Sequence, residues 1–126
     1  MKLLLDTHVL IWWLDGSRKL GERALSHLTA TDAELSASAV SWWEIGIKSA
    51  LGRMTFDWHT GREILASNRI KPLLVTFAHA EAAAGLPLHH GDPFDRMLVA
   101  QASHEGLRLL TRDKKLKVYG SSVLCV

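Results

Sequence analysis

Five segments of this chain read as strands, and they do so as short apolar runs rather than as strict apolar–polar alternations. They cover residues 2–6, 34–38, 70–75, 107–111 and 122–126, and all but the second are strongly apolar. An uninterrupted run is what a strand buried on both faces requires, because neither face meets water. Between the runs lie segments with helical spacing, at 8–14, 21–28, 42–51, 61–68 and 78–84, and a longer one after Asp92. Strand–helix alternation of this kind predicts one α/β architecture: a central parallel sheet of about four to five strands, flanked by helices on both faces. Pro72 lies within the third run and pushes that strand toward a sheet edge, since proline cannot donate to the ladder.

The strongest local signal follows Gly91. Asp92 offers an N-cap, and Pro93 suits the first helical position, where a missing N–H costs nothing. Phe94, Met97, Leu98, Gln101 and Ala102 then repeat at helical spacing, with Val99 widening the stripe. Asp95 falls in the first turn, where the helix dipole favours an ionised carboxylate. Asp6 ends the first apolar run and Asp113 follows the fourth. Three distant segments therefore each deliver an acid to a point where an apolar element meets the surface.

A chain of 126 residues makes one domain, 1–126, able to bury a sizeable core. Its one cysteine, Cys125, excludes an internal disulfide and reads as a small buried hydrophobe in the last strand. No apolar run is long enough for a bilayer, and Asp6 interrupts the N-terminal run too early for a signal peptide, so the expected location is cytoplasmic. The net charge of +2 says little about partners. Residues 106–126, however, carry Arg108, Arg112, Lys114, Lys115 and Lys117 against the single acid Asp113. That segment is either a solvated face or an electrostatic guide for a polyanion.

In an open parallel sheet, ligands bind beyond the carboxyl ends of the strands. Asp6, Asp95 and Asp113 can converge there, joined by Glu44 from the helix after the second strand. Such a cluster stays ionised only with help, because like charges raise one another's pKa. A divalent cation resolves the conflict, and all-oxygen ligands suit Mg2+ or Mn2+ rather than zinc. The chemistry that follows is phosphodiester hydrolysis, using water acidified by one metal, with a second about 3.5–4 Å away for the leaving oxygen. Thr7 and Thr111 adjoin the cluster and can hydrogen-bond a carboxylate or a metal-bound water, while Lys48, Arg96 and Arg112 can neutralise substrate phosphate. Each acid also has an ordinary reading: Asp6 as a helix cap, Glu44 as the exposed i,i+4 partner of Lys48, Asp113 as a turn residue, and Asp92 as a cap only. No phosphate-cradling glycine loop occurs. The seven histidines lack the i,i+4 spacing of a helical zinc site; neighbours such as His89 and His90 diverge, and loop or surface roles are expected.

The motifs resemble those of PIN-domain ribonucleases of the VapC type, toxins of type II toxin–antitoxin pairs. The resemblance lies in Leu4-Leu5-Asp6-Thr7-His8; in Ser41-Trp42-Trp43-Glu44-Ile45-Gly46-Ile47-Lys48 with Leu51-Gly52-Arg53; in Leu86-Pro87-Leu88-His89-His90 leading into Asp92-Pro93-Phe94-Asp95-Arg96-Met97-Leu98-Val99-Ala100-Gln101-Ala102; and in Thr111-Arg112-Asp113. It spans nearly the whole chain, and the Asp-Pro-Phe-Asp-Arg segment is its most specific part. It implies that Asp6, Glu44, Asp95 and Asp113 are an acidic quartet holding Mg2+ or Mn2+. It further implies RNA cleavage, a homodimer, a small antitoxin that wraps the toxin, and operator DNA bound only through that antitoxin.

Two other readings remain open at this level. One is a doubly wound phosphatase or phospho-acceptor domain with Asp6 as nucleophile, although His8, not a second aspartate, stands at i+2. The other is a non-catalytic scaffold that binds antitoxin and DNA. The pairs Trp12-Trp13 and Trp42-Trp43 point about 100° apart on a helix, so one member of each can be core while the other reaches an interface. Stacking of RNA bases on them is disfavoured, because the pairs sit in apolar helices without interleaved basic residues.

Overall fold

The computed structural model describes residues 1–89 and 91–126; His90, with the reading made of it, lies outside them. The elements run β1 (Lys2–Leu5), α1 (Thr7–Leu14), α2 (Glu22–Thr29), β2 (Glu34–Ser38), α3 (Ala39–Ala50), α4 (Trp58–Ser67), β3 (Ile70–Leu73), α5 (Phe77–Ala84), α6 (Pro93–Glu105), β4 (Arg108–Thr111) and β5 (Val123–Cys125). Short 3-10 segments at Arg18–Leu20 and Lys114–Ser122 precede α2 and β5.

All five strands are parallel, in the order β3-β2-β1-β4-β5. The strand containing Pro72 takes the edge, as its missing N–H requires. Leu3, Leu4 and Leu5 are fully buried, which is what an apolar run in the central strand demands. Their side chains alternate between two cores. Leu3 and Leu5 join Val9, Leu10, Ala24, Leu28, Ile45 and Leu110 on one face, under α1, α2 and α3. Leu4 joins Leu98, Val99, Ala102 and Leu109 on the other, under α6. The helices thus cover both faces, as expected.

The strand order reverses at β1. From β1 the chain steps outward to β2 and β3, then crosses to β4 on the other side. That reversal opens a crevice beyond the carboxyl ends of β1 and β4, the ends that lead into Asp6 and Asp113. α6 enters as its sequence requires: the Asp92 carboxylate accepts the N–H groups of Phe94 and Asp95 at 2.8 and 3.1 Å, and Gly106 closes the helix in the left-handed conformation at φ 68°. Its end fixes the return into β4. Among the described residues no helix is long and apolar enough to cross a membrane.

Candidate active site

Asp6 follows β1 directly and occupies the N-cap position of α1, yet its side chain makes no capping hydrogen bond. The simple capping role therefore does not describe it. One oxygen, Oδ2, accepts the Thr111 hydroxyl at 2.7 Å from the neighbouring strand. The other, Oδ1, is buried with no hydrogen-bond partner among the described residues. The side chain is only 3% exposed. Burial pushes its pKa from 3.8 to about 7; the Thr111 hydroxyl and, more weakly, the nearby Thr7 backbone N–H oppose the rise, while the charges of Asp95 and Glu44 add to it. Asp6 therefore feels the charges of two of the other predicted acids, the farther of them 89 positions away in sequence.

Glu44 lies on α3, the helix that follows β2. It does pair with Lys48, at 3.5 Å, but not as an exposed surface pair: its side chain is 12% exposed and that of Lys48 25%. The helix buries this face because Ser41, one turn earlier, accepts the buried Thr7 hydroxyl at 2.8 Å and ties α3 to α1. Glu44 Oε1, like Asp6 Oδ1, is buried without a hydrogen-bond partner among the described residues. Asp95 sits half-buried in the first turn of α6. Asp113 leaves β4 and lines, with Asp6, a pocket of about 240 Å3. Its N–H donates to Thr111 Oγ1 at 3.0 Å, and its carboxylate accepts the Lys115 N–H at 3.0 Å. The turn reading of Asp113 and its place beside the acids therefore hold together. Thr111 joins the two: one hydroxyl donates to Asp6 and accepts from the backbone of Asp113.

The residues expected to touch substrate divide. Thr7 and Thr111 are buried, and their hydroxyls are committed to Ser41 and to Asp6. Thr111 thereby holds Asp6, and Thr7 ties α1 to α3. Arg96 is likewise occupied. Its guanidinium donates to the carbonyls of Ala83 (3.0 Å), Leu86 (3.1 Å) and Pro87 (2.9 Å), binding the end of α5 and the segment after it to α6. Lys48 faces Glu44. Arg112 alone among the expected cations lines the acid pocket.

His79, for which a loop or surface role was expected, is 1% exposed. With His104 and Glu105 it forms a group whose ligand atoms lie within 4.8 Å of one another, away from the acids. Its Nδ1 accepts the Thr76 N–H at 3.1 Å, which places the ring proton on Nε2, facing Glu105 at 3.6 Å. A metal on Nε2 would demand that both ring nitrogens lend lone pairs, an imidazolate. The ring instead closes a capping box for α5. Sequence alone missed this, because histidine is not the usual third residue of such a box.

A family model for the PIN domain matches residues 3–121. The chain belongs to the PIN-domain family. This PIN domain is 31% identical over 121 residues to the ribonuclease VapC22 of Mycobacterium tuberculosis, covering 91% of this chain and 89% of that one. That likeness places it among the VapC ribonucleases. Its fold resembles a chain in a toxin–antitoxin complex from Klebsiella pneumoniae, at a TM-score of 0.68 and 22% identity, covering 97% of this chain and 95% of that one. It resembles as closely a chain of VapBC2 from Rickettsia felis bound to a promoter DNA fragment, at a TM-score of 0.68 and 14% identity, covering 100% and 98%.

Proposed function

We propose that this PIN domain is a Mg2+- or Mn2+-dependent endoribonuclease and the toxin of a toxin–antitoxin pair, with Asp6, Glu44, Asp95 and Asp113 as its metal-holding and catalytic residues. The observation that carries the reading is a pair of buried carboxylate oxygens, Asp6 Oδ1 and Glu44 Oε1, left without hydrogen-bond partners among the described residues beside a third acid. Buried polar atoms are nearly always paired, and an uncompensated buried charge costs several kcal/mol. An all-oxygen donor set with orphaned atoms fits a hard divalent cation. When bound, such an ion acidifies water and offsets charge building on the leaving oxygen.

The chain's own residues do the rest. Thr111 holds Asp6 and Asp113 in register across β1 and β4. The Thr7–Ser41 bond holds α3, and so Glu44, against α1. Lys48 balances Glu44 from the side. The rival phospho-acceptor reading needs an accessible nucleophile, and an Asp6 that is 3% exposed is poorly suited to attack.

An apolar groove of about 1010 Å3 supports a protein partner. Trp42, Trp43, Trp58 and Leu74 line it, and Arg62, Arg69 and Lys71 are among its basic residues. An amphipathic antitoxin segment with acidic flanks suits it. Trp42 packs against the core beside Phe56, with the exposed Trp58 on its outer side, while Trp43 is 64% exposed, the division expected of the pair. Phe77 and Leu88 are strongly exposed and give a homodimer an apolar face. Operator DNA is then reached through the antitoxin, and the expected compartment is the cytoplasm.

The test is cleavage of end-labelled single-stranded RNA by the purified chain freed of any co-purifying partner. Cleavage absent in EDTA, restored by Mg2+ or Mn2+, and abolished in Asp95→Asn is the expected result. RNA cleavage that survives in Asp95→Asn with added metal would overturn the assignment.

A further inference from the structure

The pocket beside the acids has a second wall that the metal-site reading does not use. His8 and Trp12, one turn apart on α1, stand with ring centroids 5.6 Å apart and planes at 39°. His8 is exposed and Trp12 half-buried, and both line the 240 Å3 pocket with Asp6, Asp113 and Arg112. The Arg112 guanidinium is fixed from behind. Its Nη1 donates to the Lys19 carbonyl, and the group lies across Gly21. A Cβ at residue 21 would stand 2.9 Å from Nη1, and the backbone there is held at φ +80°, so glycine is needed for the guanidinium to rest where it does.

Here a basic group and two aromatic rings line one pocket, which residue spacing along the helix alone did not reveal. Arg112 arrives from β4, 100 residues after Trp12. The pocket is smaller than the roughly 300–1,000 Å3 clefts that take drug-sized ligands. Its ring faces, its guanidinium with further donors, and its carboxylate floor suit one flat, polar-edged group. Proteins that read single-stranded RNA splay out unstacked bases onto aromatic rings and guanidinium planes.

We propose that His8, Trp12 and Arg112 form a subsite for one unpaired nucleobase of the RNA, next to the scissile phosphate, and that Arg112 sets which base is preferred there. The proposal rests on the ribonuclease reading. The subsite selects single strands, because a base in a duplex cannot enter, and it registers the adjoining phosphate over the acids.

The experiment uses the full chain and a fluorescent 2′-O-methyl RNA hexamer, which binds without being cut, with anisotropy read in EDTA. A second hexamer carries one abasic position. His8→Ala is the main variant, since the residue is exposed; Trp12→Phe keeps the core contact of the ring. Each is expected to weaken hexamer binding, His8→Ala on the order of tenfold and Trp12→Phe less. Neither should weaken it further once the abasic position removes the matching base. In cleavage assays with metal, His8→Ala should raise KM and, because the phosphate is less well registered over the acids, lower kcat as well, and Arg112→Met should flatten the preference among bases at one position. Unchanged hexamer affinity and unchanged KM in His8→Ala, in a protein that still cuts RNA, would overturn the subsite. Equal losses on the intact and abasic hexamers would overturn it too. Binding that follows these expectations in a chain that never cuts RNA would refute the ribonuclease reading and leave the subsite standing.

Discussion

Asp6→Asn should make the metal-free protein more stable while abolishing cleavage, and the size of the effect follows from the site. The carboxyl has a pKa of about 7 when folded, against 3.8 ordinarily. At about 1.36 kcal/mol per pKa unit this corresponds to a ceiling of about 4 kcal/mol. The sign is fixed by proton counting. Between about pH 4 and 7 the folded state keeps a proton that the unfolded chain has released, so stability falls as pH rises through that window and levels above it. Asparagine removes the titration and puts an amide nitrogen where the partnerless Oδ1 stands, beside two carboxylates, while its carbonyl can still accept Thr111. Urea unfolding in EDTA from pH 4 to 8.5 measures the difference. The two proteins should be alike at pH 4 and diverge by up to ~4 kcal/mol at pH 8, a midpoint shift on the order of 2 M at a typical m-value. Asp57, whose carboxylate the Thr60 hydroxyl chiefly holds below its ordinary pKa, acts equally in both proteins and cancels. Added Mn2+ should stabilise the wild type, by about 2.7 kcal/mol at a hundredfold excess over its Kd, and the variant at the same concentration by no more than about 1.4 kcal/mol. A variant less stable than wild type at pH 8, with parallel pH profiles, would refute the reasoning.

Other substitutions probe the supports. Thr111→Val leaves the Asp113 N–H without its acceptor and Asp6 without its donor, so it should cost about 1–3 kcal/mol in denaturant unfolding and lower kcat. Arg96→Met frees the carbonyls of Ala83, Leu86 and Pro87; hydrogen exchange should rise through residues 83–89, with a global loss of about 1.5–3 kcal/mol. Gly61→Ala would set a Cβ 2.5 Å from Phe56 and 3.0 Å from Trp42, and should lower stability by about 1–3 kcal/mol without touching the acids, so cleavage by the remaining folded protein should be unaffected.

The strands were legible in the sequence because β1 and β4 are buried on both faces, and such burial leaves an unbroken apolar run. The long α6 was legible through its cap, its proline and its closing glycine. Helix α4 begins at Trp58, before the expected start at Gly61, because that glycine is not a boundary: it lets Phe56 and Trp42 approach the helix. Similarly, α3 begins at Ala39, because Ser38 provides the cap by accepting the Val40 N–H, while Ser41 is turned inward to Thr7. Asp113, whose ordinary reading was a turn residue, caps a 3-10 stretch, Lys114–Ser122, interrupted at Gly120 with φ 86°. The acids could be named from spacing, but not the depth of Glu44 and Lys48, which is set by packing of α3 against α1. The role of Arg96 was hidden for the same reason. Its carbonyl partners lie 9 to 13 residues earlier, on a segment whose path only the tertiary fold determines. His8 and Trp12 carried a signal, i,i+4 spacing just after an acid, whose meaning depended on where Arg112 would arrive.

The central claim is that the carboxylates at the β1–β4 crevice share one hard cation. Mn2+ titration followed by electron paramagnetic resonance tests it most directly, comparing the metal-free wild type with Asp6→Asn and Asp95→Asn, each shown to be folded. The account predicts saturable Mn2+ binding by the wild type and a loss of at least tenfold in affinity in each variant. Equal Mn2+ binding by all three proteins would contradict it.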